Sequence, residues 1–235
     1  MSAHPAGHAG VLLDLDGVLI DSSPGILELW HDLARRHGRE LTPEQFADEI
    51  TGCSPEYTID SLFGDLPAAT RSALLREVRE REPDLPFVAL PGARTFIGAA
   101  AAAGLRVAVV TGAGSDRALR ALRTLGVQDA VYATVTWGET AAGKPAPDPY
   151  LLAARRVEAD PRLCVAVEDA VSGVAAAVAA SATCIGVGDP ALLRHGAVSV
   201  VQTLDDLRVV RTADGARIVW PPAGAGPVPA GGSSR

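Results

Sequence analysis

The sequence predicts an α/β fold whose parallel sheet is interrupted, after its first strand, by an all-helical insert. In the second half of the chain, short runs of Val, Leu, Ile and Ala alternate with stretches of helical periodicity. This βαβα alternation is typical of a parallel sheet covered by helices on both faces. By contrast, residues 24–87 show helical periodicity and no strand pattern. Because a buried strand at residues 11–15 ends in an acidic turn just before that insert, we expect the insert to lie over the turn as a lid.

Local patterns place the remaining elements in chain order. Helices begin where Ser or Thr precedes Pro, as at residues 22–24 and 42–43, because the hydroxyl caps the helix and Pro suits its first turn. Glycines mark several helix ends. We expect strands at residues 11–15, 106–111, 164–168, 183–187 and 198–201, a shorter apolar piece at 130–136, and helices at 24–37, 56–63, 68–81, 93–103, 116–125, 149–157 and 172–180, with another opening at 42.

These elements divide the chain into a discontinuous core, an inserted cap and two tails. The core comprises residues 10–22 and 88–212, and the helical cap comprises residues 23–87. Residues 1–9 are expected to form a flexible tail. Residues 213–235 are expected to complete a terminal hairpin around Asp214-Gly215 and to end in a disordered tail of Pro, Gly, Ala and Ser.

Composition excludes several functional classes. Hydrophobic residues make up 48% of the 235 residues and charged residues 21%, as in ordinary soluble proteins. A formal net charge of −7, without any basic run, disfavours a nucleic-acid partner. The most apolar stretch, residues 173–188, matches a buried helix and strand, so no membrane partner is expected. Three dispersed cysteines and the lack of a signal-peptide pattern favour a cytoplasmic location.

Four polar motifs follow predicted strands or lie in loops between them. Two carboxylates, Asp14 and Asp16, follow the first strand, where ligands usually bind in open α/β sheets. A hydroxyl and backbone N–H groups at residues 111–113 suit a phosphate oxygen. Lys144, held between Gly and Pro, offers a point charge for phosphate, although a solvated loop lysine would look the same. A second carboxylate pair, Glu168 and Asp169, follows a Val-rich strand.

Taken together, the motifs resemble those of the haloacid dehalogenase superfamily. The likeness is to the branch with a helical C1 cap after the first motif, which includes sugar phosphatases and β-phosphoglucomutases, and it spans residues 10–207. It implies a Rossmann-like (Rossmannoid) core with the cap inserted. The motifs that carry it are Asp14-Leu15-Asp16-Gly17, Val110-Thr111-Gly112, Gly143-Lys144-Pro145 and Val167-Glu168-Asp169.

The resemblance also implies a role for each motif residue. Asp14 would be the nucleophile that forms an aspartyl-phosphate. Asp16 would protonate the leaving alcohol and then deprotonate the attacking water. The groups implied to hold the phosphoryl oxygens are Thr111, Gly112, Ala113 and Lys144.

A divalent cation is the implied cofactor. Oxygen ligands of this kind favour Mg²⁺. The implied ligands are Asp14, the backbone carbonyl of Asp16, and Asp169, with Glu168 as a further ligand or as a partner of one.

Asp16 favours phosphoryl chemistry, because dehalogenases of the superfamily lack this second aspartate. β-Phosphoglucomutases carry a cap histidine four residues after the Ser or Thr that ends the first motif, which is Ser22 here. This chain has Ile26 at that position, and His31 falls elsewhere on the helix. Their arginine-containing cap loop is replaced here by residues 51–55. The predicted function is therefore a Mg²⁺-dependent phosphatase acting on a sugar or polyol phosphate. A β-phosphoglucomutase-type mutase and a non-catalytic binding protein on the same scaffold are the alternatives.

Substrate choice is expected to depend on the face of the cap above the motifs. Thr51 and Ser54 are the candidate specificity residues. Tyr57 and Trp137 are further candidates, although aromatic side chains at these positions suit packing equally well. A short cap leaves room for a small phosphorylated metabolite, and we expect a monomer or a weak homodimer.

Overall fold

A computed structural model of the protein describes residues 7–222. The strands are β1 (Gly10–Leu13), β2 (Ile20–Asp21), β3 (Val88–Ala89), β4 (Arg106–Val110), β5 (Ala133–Val135), β6 (Cys164–Glu168), β7 (Thr183–Val187), β8 (Ser199–Val201), β9 (Arg208–Thr212) and β10 (Gly215–Val219). The α-helices are α1 (Ser23–Arg36), α2 (Pro43–Gln45), α3 (Pro55–Phe63), α4 (Ala68–Arg81), α5 (Ala93–Ala102), α6 (Ser115–Leu125), α7 (Asp148–Arg156) and α8 (Val171–Ala179).

A six-stranded parallel sheet forms the core, with the strand order β5-β4-β1-β6-β7-β8. Side chains alternate across a strand, so β1 contributes Val11 and Leu13 to one face and Leu12 to the other. Helices α5 and α6 cover the first face, and α7 and α8 cover the second. The predicted α/β fold with a parallel sheet is confirmed.

Between β2 and β3 the chain forms helices and helical turns. This segment has its own apolar cluster, in which Leu33 of α1, Phe63 of α3 and Val78 of α4 are buried. Strands β2 and β3 pair antiparallel, with Ile20 opposite Ala89, so the two connections between the helical segment and the sheet run side by side. We refer to residues 23–87 as the cap.

Of the two helix starts expected to be capped by a hydroxyl before Pro, one has the cap. Thr42 forms a reciprocal capping box with Gln45, and the chain then continues as a π-helical turn, Phe46–Ile50, rather than as one regular helix. Ser22 precedes α1, but its hydroxyl does not cap the helix. Instead that hydroxyl donates to Asp16, which competes for it. Within residues 7–222, none of the helices combines the length and the apolarity that a membrane crossing needs.

The two ends of the described chain lie together. Strands β9 and β10 form the expected hairpin, and its first strand begins at Arg208, before the boundary expected at 213. The N–H of His8 donates to the carbonyl of Ala216 at 2.8 Å, so the expectation of a free tail is wrong at this position. The missed signal is the hairpin itself, whose edge accepts a neighbouring strand. Residues 1–6 of the expected flexible tail and residues 223–235 of the expected disordered tail lie outside the described residues.

Candidate active site

Three motif residues meet because β1 lies between β4 and β6. Asp14 follows β1, Thr111 follows β4, and Glu168 is the last residue of β6. Carboxyl ends of adjacent parallel strands share one edge of a sheet, so these side chains are neighbours although they are more than 50 residues apart in sequence. Asp14 is only 1% exposed. The edge of the sheet therefore places a buried carboxylate among polar groups from other strands.

Lys144 brings a positive charge to this edge. Its ammonium group lies 2.6 Å from Asp14 Oδ1 and 2.6 Å from Glu168 Oε1, and it donates to the carbonyl of Val110 at 2.9 Å. Lys144 is 2% exposed. A buried ammonium is tolerated only where counter-charges and hydrogen bonds replace its water. Lys144 is thus a fixed cation beside Asp14 and not a solvated loop lysine.

Burial and mutual repulsion shift the ionisation of this cluster. Burial raises the pKa of Asp14 to about 8, an effect that Lys144 opposes and Glu168 reinforces. Burial, and then the charge of Asp14, raise the pKa of Asp169 well above its usual range. For Lys144, burial lowers the pKa, but the carboxylates of Asp14 and Glu168 outweigh it and raise the pKa above its ordinary value. These carboxylates therefore need additional positive charge to be fully ionised near neutral pH.

Asp14, Glu168 and Asp169 fit a divalent cation. One oxygen from each lies within 4.8 Å of the others. Within residues 7–222, the buried atoms Glu168 Oε2 and Asp169 Oδ1 have no hydrogen-bond partner, whereas Glu168 Oε1 accepts the hydroxyl of Tyr150. A Cβ at Gly17 would lie 1.8 Å from Asp169 Oδ2, so this glycine makes room for the carboxylate. Hard oxygen donors with unused lone pairs are the ligand set of Mg²⁺ or a similar cation.

Asp16 is turned away from that cluster. Its Oδ1 accepts the hydroxyl of Ser22 and lies 2.6 Å from Nη2 of Arg117. Its carboxylate lines the cavity under the cap. Of the predicted metal ligands, Asp14, Glu168 and Asp169 lie together, whereas the Asp16 side chain lies toward the cap.

The backbone after β4 carries Thr111, Gly112 and Ala113, which the sequence predicts to bind phosphate. Thr111 Oγ1 accepts the N–H of Ala113 at 3.0 Å, which leaves the hydroxyl proton of Thr111 free for another acceptor. Gly112 lies directly under the cap, because a Cβ there would come 2.8 Å from the carbonyl oxygen of Cys53. The cap loop thus closes on this part of the core.

A cavity lies between the carboxylates and the cap. Its floor contains Asp14, Asp16 and Asp169, and Thr51 contributes a polar group at its edge. The cap wall above them is largely apolar, which the sequence did not suggest. The apolar side chains of this wall are Ile26, Leu29, Trp30, Phe46, Ile50, Val78 and Leu85.

The two candidate cap residues occupy different places. Thr51 lines the cavity, and its carbonyl accepts the hydroxyl of Ser172 at 3.1 Å. Ser54 caps α3 and lies with Tyr57 and Trp137 in a neighbouring cavity that also includes Lys144. The indole N–H of Trp137 donates to Glu56, so this aromatic residue fastens the cap to the core.

Sequence reasoning missed Arg117 and Glu82. Arg117 Nη1 lies 3.2 Å from Glu82 Oε1, and both side chains are less than a tenth exposed. A signal for Arg117 was present, because it lies four and eight residues before Ala121 and Leu125 on the buried stripe of α6. Glu82 offered no comparable signal, since its partner is distant in sequence.

Comparison with known proteins gives one consistent result. A model of the haloacid dehalogenase-like hydrolase family matches residues 8–181, from β1 to α8. Hexitol phosphatase A of Escherichia coli K12 is 34% identical over 215 residues, which cover 89% of this chain and 98% of that protein. β-Phosphoglucomutase of Bacillus subtilis 168 is 29% identical over 83% of this chain and 90% of that protein. The crystal structure of a hydrolase from Pseudomonas syringae aligns with a TM-score of 0.75 and 25% identity, over 85% of this chain and 95% of that one.

Proposed function

Because the chain belongs to the haloacid dehalogenase-like hydrolase family, we propose that it is a Mg²⁺-dependent phosphatase which transfers the phosphoryl group of a small phosphorylated carbohydrate to Asp14 and then to water. Relatives named as phosphatases support hydrolysis of phosphoric monoesters. The observation that carries the proposal is the position of Asp14, a buried carboxylate that is paired with Lys144 and lines the cavity beneath the cap.

In the first step, a carboxylate oxygen of Asp14 attacks phosphorus. A bond forms between that oxygen and phosphorus while the bond from phosphorus to the substrate's alcohol oxygen breaks. Lys144 reduces the repulsion between the anionic nucleophile and the anionic phosphate. The hydroxyl of Thr111 and the backbone N–H of Gly112 hold the phosphoryl oxygens, whereas the N–H of Ala113 is engaged by Thr111 Oγ1.

Asp16 moves the protons. In the first step its carboxylic acid gives a proton to the departing alcohol oxygen, which would otherwise leave as an unstable alkoxide. In the second step the carboxylate of Asp16 takes a proton from water as the water oxygen bonds to phosphorus. The bond from Asp14 to phosphorus then breaks, which restores the free carboxylate and releases inorganic phosphate.

Mg²⁺ is the cofactor we propose for the acidic cluster, where it would offset negative charge on the phosphoryl group and on the surrounding carboxylates. Asp14, Glu168, Asp169 and the backbone carbonyl of Asp16 would hold it. Because Glu168 Oε1 is engaged by Lys144 and Tyr150, its other oxygen Oε2 is the one available to the cation.

Phosphatase activity is favoured over phosphomutase activity by the cap wall. A mutase must bind a second phosphate group while the sugar reorients in the site. Binding that phosphate requires cationic or imidazole groups in the cap. Ile26 occupies the cavity wall at the position where the resemblance places the mutase histidine. Among the described residues that line this cavity, Arg117 is the one cation, and it is paired with two carboxylates.

The proposal is tested by measuring phosphate release from hexitol, hexose and glycerol monophosphates by the full-length protein with and without Mg²⁺. We expect release of one phosphate per alcohol, and loss of this activity with a chelator and in Asp14→Asn. Conversion of β-glucose 1-phosphate to glucose 6-phosphate without free phosphate would establish the mutase instead. Binding of the esters without turnover of any of them would establish a non-catalytic scaffold.

A further inference from the structure

Arg117 is a deeply buried charged side chain at the junction between cap and core. It lies in the first turn of α6, shortly after the predicted phosphate-binding residues 111–113, and is 2% exposed. A guanidinium cannot lose its charge, so burial at this depth requires fixed acceptors. It has two, Asp16 Oδ1 at 2.6 Å and Glu82 Oε1 at 3.2 Å.

The contact with Asp16 fixes one oxygen of that carboxylate. Nη2 of Arg117 and the hydroxyl of Ser22 both donate to Oδ1. Neither bond involves Oδ2 of Asp16, and Asp16 lines the same cavity as Asp14. Two donors on one oxygen set the plane of the carboxylate, so the other oxygen is the one left to exchange a proton with the substrate.

The contact with Glu82 ties this arrangement to the cap. Glu82 follows the last residue of α4 and begins the segment that returns from the cap to β3. Its Oε1 also accepts the N–H of Gly114 at 3.3 Å, next to the predicted phosphate-binding residues. The carboxylate of Glu82 therefore meets Arg117 only when this returning segment is seated against the core.

Arg120, one turn further along α6, holds the same segment by a different contact. Its guanidinium donates to the carbonyl of Leu85 and lies over the ring of Phe87 at 4.6 Å. Arg120 does not touch Asp16 in the described structure. The chain thus offers two arginines that hold the cap's return segment, of which one also reaches the proton-transferring carboxylate.

We propose that Arg117 is a positioning residue for the phosphatase: it orients Asp16 for proton transfer, and it does so through a contact that requires the cap's return segment to be seated through Glu82. This inference rests on the proposed function. It assigns to the Arg117–Glu82 pair a role in catalysis beyond stabilising the fold. Arg117 acts through Asp16 and does not itself touch the reacting atoms.

The test compares two phosphate esters that differ in their need for a proton. An alkyl ester such as a hexitol phosphate needs general-acid help, whereas p-nitrophenyl phosphate releases a stable phenolate and needs little. General acid–base catalysis contributes roughly 10²–10⁴-fold. We therefore expect Arg117→Met to lower the single-turnover rate of Asp14 phosphorylation about 10- to 100-fold with the alkyl ester and by less than about threefold with the p-nitrophenyl ester.

Three further variants separate positioning from stability. Arg117→Lys keeps the positive charge but loses the fixed pair of guanidinium N–H donors. Its single-turnover rate with the alkyl ester should lie between those of wild type and Arg117→Met. Glu82→Gln keeps the shape but weakens the link to Arg117 and should shift the ratio of the two rates in the same direction by a smaller factor. Arg120→Met, the matched control, should leave that ratio at its wild-type value. If Arg117→Met does not fold, as judged by thermal melting, Arg117→Lys and Glu82→Gln carry the test.

Equal losses with both esters in the Arg117 and Glu82 variants would overturn the inference, as would the same change of ratio in Arg120→Met. Failure of the proposed function would give a different result, because the wild-type protein itself would then release phosphate from neither ester.

Discussion

The floor of the cavity is ionic, whereas the cap wall above it, which we call the roof, is largely apolar. On the floor, Asp14 is almost completely buried, and contacts of 2.6 Å join it to Lys144 and Lys144 in turn to Glu168 behind it. On the roof, the cap presents mainly aliphatic and aromatic side chains such as Ile26 and Phe46. In the proposed mechanism, the reaction and the choice of substrate are therefore separable. The floor would bind the phosphoryl group, which every substrate shares, and the roof would contact the part of the substrate that differs.

The largest loss of activity should follow substitution of Asp14, the proposed nucleophile on the floor. Asp14→Asn keeps the size of the side chain but removes its charge, and loss of a covalent nucleophile typically costs on the order of 10⁴-fold or more in kcat. Steady-state phosphate release measures this effect. Asp129→Asn, at an exposed aspartate, is the control and should retain wild-type activity. Appreciable turnover by Asp14→Asn would show that Asp14 is not the nucleophile.

Lys144→Met should affect both activity and stability. The variant leaves Asp14 and Glu168 buried without their shared counter-charge. Breaking a buried ion pair costs roughly 3–5 kcal/mol of unfolding free energy, and loss of one electrostatic contact to the transition state costs about 10²–10³-fold in kcat. Urea unfolding and phosphate release measure the two effects. Added Mg²⁺ should restore part of the stability, and an unchanged unfolding midpoint would show that the pair does not matter.

The cavity as a whole should discriminate against substrates with a second anionic group. The cavity lining contains Asp14, Asp16, Asp169 and Glu82, and within residues 7–222 its single cation is Arg117. Like-charge contacts cost several kcal/mol when water is excluded. We expect kcat/KM for hexose bisphosphates and phosphoglycolate to be about 10- to 100-fold below that for hexitol or glycerol phosphates, which carry no anionic group besides the phosphate. Equal or higher kcat/KM for the esters with a second anionic group would contradict this account of the charge in the cavity.

The smallest effect should follow from trimming the apolar wall. Ile26→Ala removes side-chain surface that lines the cavity, and burial of each methylene contributes about 0.8 kcal/mol. We expect KM to rise about 3- to 10-fold with little change in kcat, because the contact is made equally before and during the reaction. Leu27→Ala, on the exposed side of α1, is the matched control. A large fall in kcat for Ile26→Ala would mean that the wall takes part in the chemistry.

Sequence reasoning anticipated the floor much better than the roof. The fold and the family follow from motifs at strand ends, and both predictions are confirmed by the sheet and by the comparisons. Parallel strands bring their carboxyl ends together whatever the intervening sequence, so residues such as Asp14 and Glu168 can be placed without coordinates. The proposed roles of these residues stay predictions.

The apolar lining of the roof was not predicted, because it depends on how the cap helices pack. Which faces of α1 and α4 line the cavity is decided by crossing angles that the helical period does not specify. The same limitation hid the contact between Arg117 and Glu82, which joins two distant segments. Ser22 shows a local version of this problem: a helix-capping pattern was present, but Asp16 engages the hydroxyl.

The most direct test of the account is to locate the phosphoryl group during turnover. A rapid acid quench of the enzyme with a hexitol phosphate, followed by borohydride reduction and peptide mass spectrometry, converts a phosphorylated aspartate to homoserine. We predict homoserine at position 14 in wild-type protein and at no position in Asp14→Asn. Homoserine at another residue, or rapid turnover in which oxygen from labelled water enters phosphate without any modified aspartate, would contradict the account.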